Sequence, residues 1–177
     1  MITLERISDI TSCEYAFAEE LLTTAFPRDE YRDLPEQRHN TTADPRFHLM
    51  IARDNDTLIG FISYWELGEY CYVEHFATLP SMRSKGYGKA ILDNLRKVAP
   101  RIVLEAEEPV DEITARRVEF YRRNGFAACP LPYKQPPYRP GDNTLPMRLL
   151  FYGCPADEAN FICAKEIIYS EIYNYKE

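Results

Sequence analysis

The 177-residue chain predicts a mixed α/β fold, with a central β-sheet that is antiparallel in its N-terminal part, parallel at its centre, and flanked by helices. Three observations carry this prediction. Apolar runs at 46–53, 58–67 and 70–78 are joined by the short turns Asp54-Asn55-Asp56 and Gly68-Glu69, the grammar of an antiparallel meander. A helix, strand, helix order then follows over 86–124, which calls for a right-handed crossover between parallel neighbours. Apolar residues make up 45% of the chain, ordinary for one globular domain long enough to bury a core without a disulfide or metal staple.

The elements follow in order. Residues 2–7 read as a short strand. Thr11 or Ser12 caps a helix to about Ala25, with Tyr15, Ala18, Leu21, Leu22 and Ala25 on its apolar side, and Pro27 ends it. The polar stretch 29–39 is expected to be a second, more exposed helix or a loop. After the meander, residues 86–98 form a helix, 102–106 a strand, and 112–124 a helix stopped at Gly125. Residues 130–146, with Pro130, Pro132, Pro136, Pro137, Pro140 and Pro146, are expected to be an ordered surface loop. A strand at 144–152 and a terminal helix at 156–175 complete the chain. The whole, 1–177, is expected to be a single domain, with 154–177 as a C-terminal helical extension.

Composition narrows the function classes. The net charge of −7 speaks against wholesale binding to nucleic acid. No stretch approaches the roughly 20 apolar residues of a membrane span, and MITLERISDI lacks the marks of a secretion signal, so a cytoplasmic location is expected. Cys13, Cys71, Cys129, Cys154 and Cys163 are odd in number and form no CxxC pair, so reduced thiols and no metal site are expected.

Positive charge is concentrated in one place. The stretch Thr78-Leu79-Pro80-Ser81-Met82-Arg83-Ser84-Lys85-Gly86-Tyr87-Gly88-Lys89-Ala90 leaves an apolar strand and opens a helix. Gly86 and Gly88 let a ligand approach the backbone, and the N–H groups of a helix start attract phosphate. Neither GxxxxGK[ST] nor a GxGxxG fingerprint is present, since the third glycine is missing. What remains is RxxGxG on Arg83, Gly86 and Gly88. This resembles the pyrophosphate-binding motif of the GCN5-related N-acetyltransferases (GNAT). Phe76 to Pro80 is similar to that family's fourth strand and the turn after it. The resemblance runs from the first strand to the strand ending near Tyr152.

The resemblance implies the acyl-CoA N-acyltransferase (GNAT) fold and acetyl-CoA as co-substrate. It implies N-acetyl transfer to a primary amine by direct attack, with Ser84, Lys85, Tyr87 and Lys89 beside the diphosphate. It also implies that the backbone of Phe76, Ala77 and Thr78 pairs with the pantetheine amides as an added strand would. Such transfer needs a base for the amine, a polarised carbonyl and an acid for the thiolate. Glu74 is the candidate base: it shares a strand face with Tyr72, Phe76 and Thr78, and desolvation between aromatics would favour its protonation. A glutamate on this strand is a recurrent base in the family. His75, on the opposite face with Val73 and Ala77, is the rival. Tyr121 is the candidate acid, because Phe120-Tyr121-Arg122-Arg123-Asn124-Gly125-Phe126 resembles the family's helix end, where a Tyr reaches the coenzyme sulfur. Thr114 stands where many members carry the Asn that contacts pantetheine.

Glu105 and Glu107, at the end of a parallel strand, could hold a cationic acceptor. They could equally favour the start of the next helix. Tyr133-Lys134-Gln135-Pro136-Pro137-Tyr138 could form a lip over it, with Tyr138 a contact. A small-molecule amine is the expected partner. The helices near 29–39 and at the C-terminus offer surfaces to a second copy in a homodimer. An acyl-CoA-binding module of the same fold without turnover is the alternative.

Overall fold

The computed structural model describes residues 2–176. The hydrogen-bonded strand order is β1-β2-β3-β4-β5-β8-β6, with β7 on β8. These are β1 Ile2–Ile7, β2 Phe47–Asp54, β3 Thr57–Leu67, β4 Tyr70–Thr78, β5 Ile102–Glu107, β6 Ala127–Ala128, β7 Tyr133–Gln135 and β8 Leu145–Tyr152. The helices are α1 Cys13–Ala25, α2 Leu34–Ala43, α3 Tyr87–Arg96, α4 Glu112–Arg123 and α5 Glu158–Glu171. The expected mixed sheet is present, antiparallel with a parallel centre. The chain divides into two compact units that share β4: one of Met1–Glu66 with Val73–Val98, the other of Leu67–Tyr72 with Ala99–Glu177.

In the first unit, Asn55 takes a left-handed φ of 53° in the turn between β2 and β3. The pairing runs Phe47↔Trp65 to Asp54↔Thr57, with a bulge at Ala52/Arg53. Ser12 caps α1 by accepting from the Tyr15 N–H at 3.1 Å, and α3 lies against β1, where Asn94 Nδ2 donates to the Ile2 carbonyl at 3.4 Å. Ile51, Ile59, Ile62, Ile91, Leu92 and Leu95 are fully buried. In the second unit β8 is central, pairing antiparallel with β5, β6 and β7. Its core includes Tyr72, Ile102, Val103, Leu149, Ala164 and Ile168.

Two expectations are corrected. Residues 29–39 do not form one helix: a 3₁₀ turn, Arg28–Glu30, is followed by α2. Pro35 explains the break, since proline fits a first helical turn but would remove a bond inside a helix. Within it Tyr31, Arg32 and Gln37 are buried, while Asp29, Asp33, Pro35, Glu36, Arg38 and His39 are exposed. The proline-rich stretch contains a strand, β7, in which Tyr133 and Gln135 are buried and Lys134 faces out. Pro136, which has no N–H, ends it.

Among the described residues, no helix is long and apolar enough to cross a membrane, and no group of three or more His, Cys, Asp or Glu could hold a metal ion.

Gly60 on β3 sets the path of the end of β4. A Cβ there would stand 2.2 Å from the Ala77 carbonyl oxygen and 2.8 Å from the Thr78 Cα, both backbone atoms. Gly60→Ala is expected to cost about 2 kcal/mol, read as a Tm lowered by roughly 4–8 °C. Gly141→Ala meets nothing within 4 Å and carries only the strain of its φ of 93°. A Gly60→Ala protein melting with the wild type would disprove the close approach.

Candidate active site

The glycine-rich turn has the geometry its sequence predicts. Gly86 is the N-cap of α3 in the left-handed region, φ 83°, and no side chain caps the helix. A helix start leaves its first N–H groups without intrahelical partners, here those leading to the first bond, Ala90 N–H to the Gly86 carbonyl. The space a Cβ of Gly86 would take is open. Ser84 also has a positive φ, 62°, so two residues in left-handed conformation turn the backbone into the helix. Arg83, Ser84, Lys85 and Gly86 are exposed. Tyr87 donates its hydroxyl to Asp54 Oδ2 at 3.1 Å. Lys89 is bound to Asp93 one turn along its own helix, so the basic side chains of the turn itself are Arg83 and Lys85.

Glu74 departs from expectation. Its side chain is fully buried, as is that of Arg32, which donates Nη2 to Glu74 Oε1. The Trp65 indole donates to Glu74 Oε2 at 2.9 Å, and the Arg32 guanidinium lies 5.3 Å from the Trp65 ring centre. A carboxylate between aromatics was expected to attract a proton. Instead its oxygens already receive a guanidinium and an indole N–H. His75, the rival base, is buried against Phe26 with ring centres 4.9 Å apart. Its Nε2 donates to the Glu30 carbonyl at 2.8 Å, which makes Nε2 the protonated nitrogen of a neutral ring. Burial pushes its pKa down, and the ring serves to anchor the 3₁₀ turn.

The end of α4 explains why Tyr and Gly-Phe occur at that spacing. Gly125, φ 81°, donates to the Arg122 carbonyl at 3.0 Å, and Phe126 donates to the Tyr121 carbonyl at 3.1 Å. This is a Schellman cap, which needs a left-handed residue after the helix and an apolar contact across it. Phe126 and Tyr121 make that contact, ring centres 5.5 Å apart. Tyr121 is buried, and burial pushes its phenol up to about 12.

At the other end of α4, Thr114 serves the helix. Its N–H donates to Asp111 Oδ1 at 2.8 Å, while its hydroxyl accepts from the Asp111 N–H at 3.1 Å, a capping box. The Thr114 hydroxyl thus takes part in the cap of α4. Glu107 is paired with Arg117 of α4.

Glu105 on β5 is the centre of a cluster. Tyr72 and Tyr173 each donate a hydroxyl to Oε2 at 2.8 Å, and Tyr133 donates to Oε1. The Tyr138 hydroxyl lies 3.4 Å from that of Tyr173, with ring centres 4.9 Å apart. The structure thus brings Glu105 and Tyr138 together, as two of the candidate acceptor contacts, and leaves Glu107 out. Tyr72, Tyr133 and Tyr173 were not singled out with Glu105. Tyr133 alone left a signal, in the aromatic 133–138 stretch.

Comparison with known proteins follows the same lines. Residues 9–126 match the model of the acetyltransferase (GNAT) family. A solved protein of Bacteroides thetaiotaomicron, assigned to the GNAT family of acetyltransferases, is 41% identical, with a TM-score of 0.93 over 98% of this chain and 99% of that one. Streptothricin acetyltransferase of Streptomyces lavendulae is 28% identical over 134 residues, 70% of this chain and 68% of its own. A GNAT-family acetyltransferase of Elizabethkingia anophelis, solved with acetyl-CoA bound, shares the fold at 18% identity and a TM-score of 0.57, covering 85% of this chain and 97% of that one. The uncapped glycine start of α3, the Tyr-to-Gly-Phe end of α4 and the mixed sheet therefore have one explanation: the chain belongs to the GNAT family of acetyltransferases.

Proposed function

We propose that the chain is an acetyl-CoA-dependent N-acetyltransferase that acts by direct attack of a small-molecule primary amine. The observation that carries the reading is the start of α3, where a left-handed, open and uncapped Gly86 is framed by exposed Arg83 and Lys85. Backbone N–H groups there suit a diphosphate, and two cations add charge in an otherwise acidic chain. The acetyl-CoA-bound neighbour and the streptothricin acetyltransferase relative support the same donor and acceptor classes. In this reading Phe76, Ala77 and Thr78 offer backbone groups to the pantetheine arm.

Tyr121 is assigned the acid. Its raised pKa, about 12, keeps the phenol protonated throughout the neutral range, so it is always able to donate to a departing thiolate. Glu74 is assigned a positioning role: it fixes Arg32 and the residues leading into α2. Its carboxylate is already occupied by Arg32 and Trp65.

Acetyl-CoA with a panel of primary amines is expected to release free thiol. Tyr121→Phe is expected to lower kcat by about 10²-fold with the acetyl-CoA affinity kept. Wild-type activity should show no loss from Tyr121 ionisation below about pH 11. Unchanged thiol release in Tyr121→Phe across pH removes the acid role. Coenzyme binding without thiol release from any amine favours the binding-module alternative.

Gly86→Ala is expected to weaken CoA about tenfold by calorimetry while leaving pantetheine, which lacks the diphosphate, unaffected. Equal losses for both ligands would argue against a diphosphate site.

Glu74→Gln leaves a buried guanidinium facing a neutral partner, at a cost of about 3 kcal/mol in stability. It should leave the acid limb of the kcat profile in place. A shift of that limb would return Glu74 to the role of base.

A further inference from the structure

We propose that Tyr87 is a positioning residue for the coenzyme: its hydroxyl, bound to Asp54, fixes the start of α3 on the sheet, so that the N–H groups there are set before the diphosphate arrives. This role rests on the reading of that helix start as the diphosphate site.

Ordering the turn into α3 is costly for the backbone. Ser84 and Gly86 are both left-handed, no side chain caps the helix, and residues 83–86 are exposed. Glycines at 86 and 88 flank Tyr87, and glycine has the most conformational freedom to lose. A ligand that must first order such a backbone binds more weakly than one that meets it already ordered. Tyr87 is half-buried, and its side chain leaves the turn: the hydroxyl donates to Asp54 Oδ2, 33 residues earlier, at 3.1 Å.

Asp54 is a firm acceptor. Its backbone is paired on both sides, with Ile2 of β1 and with Thr57 of β3. An ionised acceptor makes the stronger kind of hydrogen bond. The bond to Asp54 pushes the Tyr87 phenol up, so the hydroxyl keeps its proton throughout the neutral range.

A second bond completes the anchor. Asn94, about two turns beyond Tyr87 and on the same helix face, donates to the Ile2 carbonyl at 3.4 Å. Ile2 and Asp54 are themselves direct partners across β1 and β2. The helix thus meets one strand pair at two points, one of them its first residue. Ile91, Leu92 and Leu95 are fully buried and hold the apolar face, but apolar attraction is non-directional. The two polar bonds fix where along its axis the helix begins. Because the Tyr87 hydroxyl is directed to Asp54, what this residue gives the diphosphate is the place of the backbone.

Calorimetry on the full chain, with CoA and with pantetheine, tests this role. Tyr87→Phe keeps the ring and removes the bond. It is expected to weaken CoA by about threefold to tenfold and to leave pantetheine unaffected. Asp54→Ala is expected to weaken CoA by a similar factor. In the Tyr87→Phe background it should add no further loss, because both substitutions remove the same bond. Asp54→Asn, which retains an acceptor oxygen, should recover part of what Asp54→Ala loses. In turnover the loss should lie in the KM for acetyl-CoA rather than in kcat.

Tyr87→Phe binding CoA as the wild type does, or losing both ligands equally, overturns the proposal. Additive losses in the double variant do the same. So does tighter CoA binding by Asp54→Ala, the result expected if Asp54 acted only as a negative charge. The Tyr87→Phe comparison decides alone if Asp54→Ala does not fold. Wild-type protein that binds CoA no better than pantetheine refutes the diphosphate site itself, and the role of Tyr87 with it. A wild-type preference for CoA that survives Tyr87→Phe undiminished leaves that site standing and removes only the role of Tyr87.

Discussion

A carboxylate removed from water must be met by donors, and this chain meets two of them in opposite ways. Glu74 receives a full positive charge from Arg32 and an indole N–H from Trp65, and the result is a buried ion pair. Glu105 receives hydroxyl hydrogen bonds from Tyr72, Tyr133 and Tyr173. Removing one partner from a buried pair costs about 3–5 kcal/mol, so the first arrangement is a structural commitment.

The same principle governs the helix ends. The start of α3 is left without a side-chain cap, and a helix start in that state attracts an anion. The start of α4 is closed by Asp111 and Thr114, and its end by Gly125 and Phe126. A capped helix start has fewer free N–H groups to offer a ligand than an open one, and that contrast is the reason the diphosphate is assigned to α3.

Local signals carried most of the fold. The strand β4 and the cap of α1 were legible because period-two alternation and a serine before an apolar helix face act over a few residues. Gly86 and the Tyr121-to-Phe126 cap were legible for the same reason, as left-handed positions announce themselves through glycine. The site's long-range partners were not. Arg32 lies 42 residues from Glu74, and Tyr173 lies 68 from Glu105, and no pattern within either stretch links the pair. The strand β7 was hidden because its proline-rich surroundings read as loop, although alternation at Tyr133, Lys134 and Gln135 was present.

The account depends most directly on backbone N–H groups at the start of α3 holding the diphosphate of the acyl carrier. A titration of ¹⁵N-labelled protein with CoA, following amide shifts, tests this without turnover. The amides of Gly86, Tyr87, Gly88 and Lys89 should show the largest displacements and saturate together with those of Arg83 and Lys85. Saturable CoA binding that leaves those amides unmoved would contradict it.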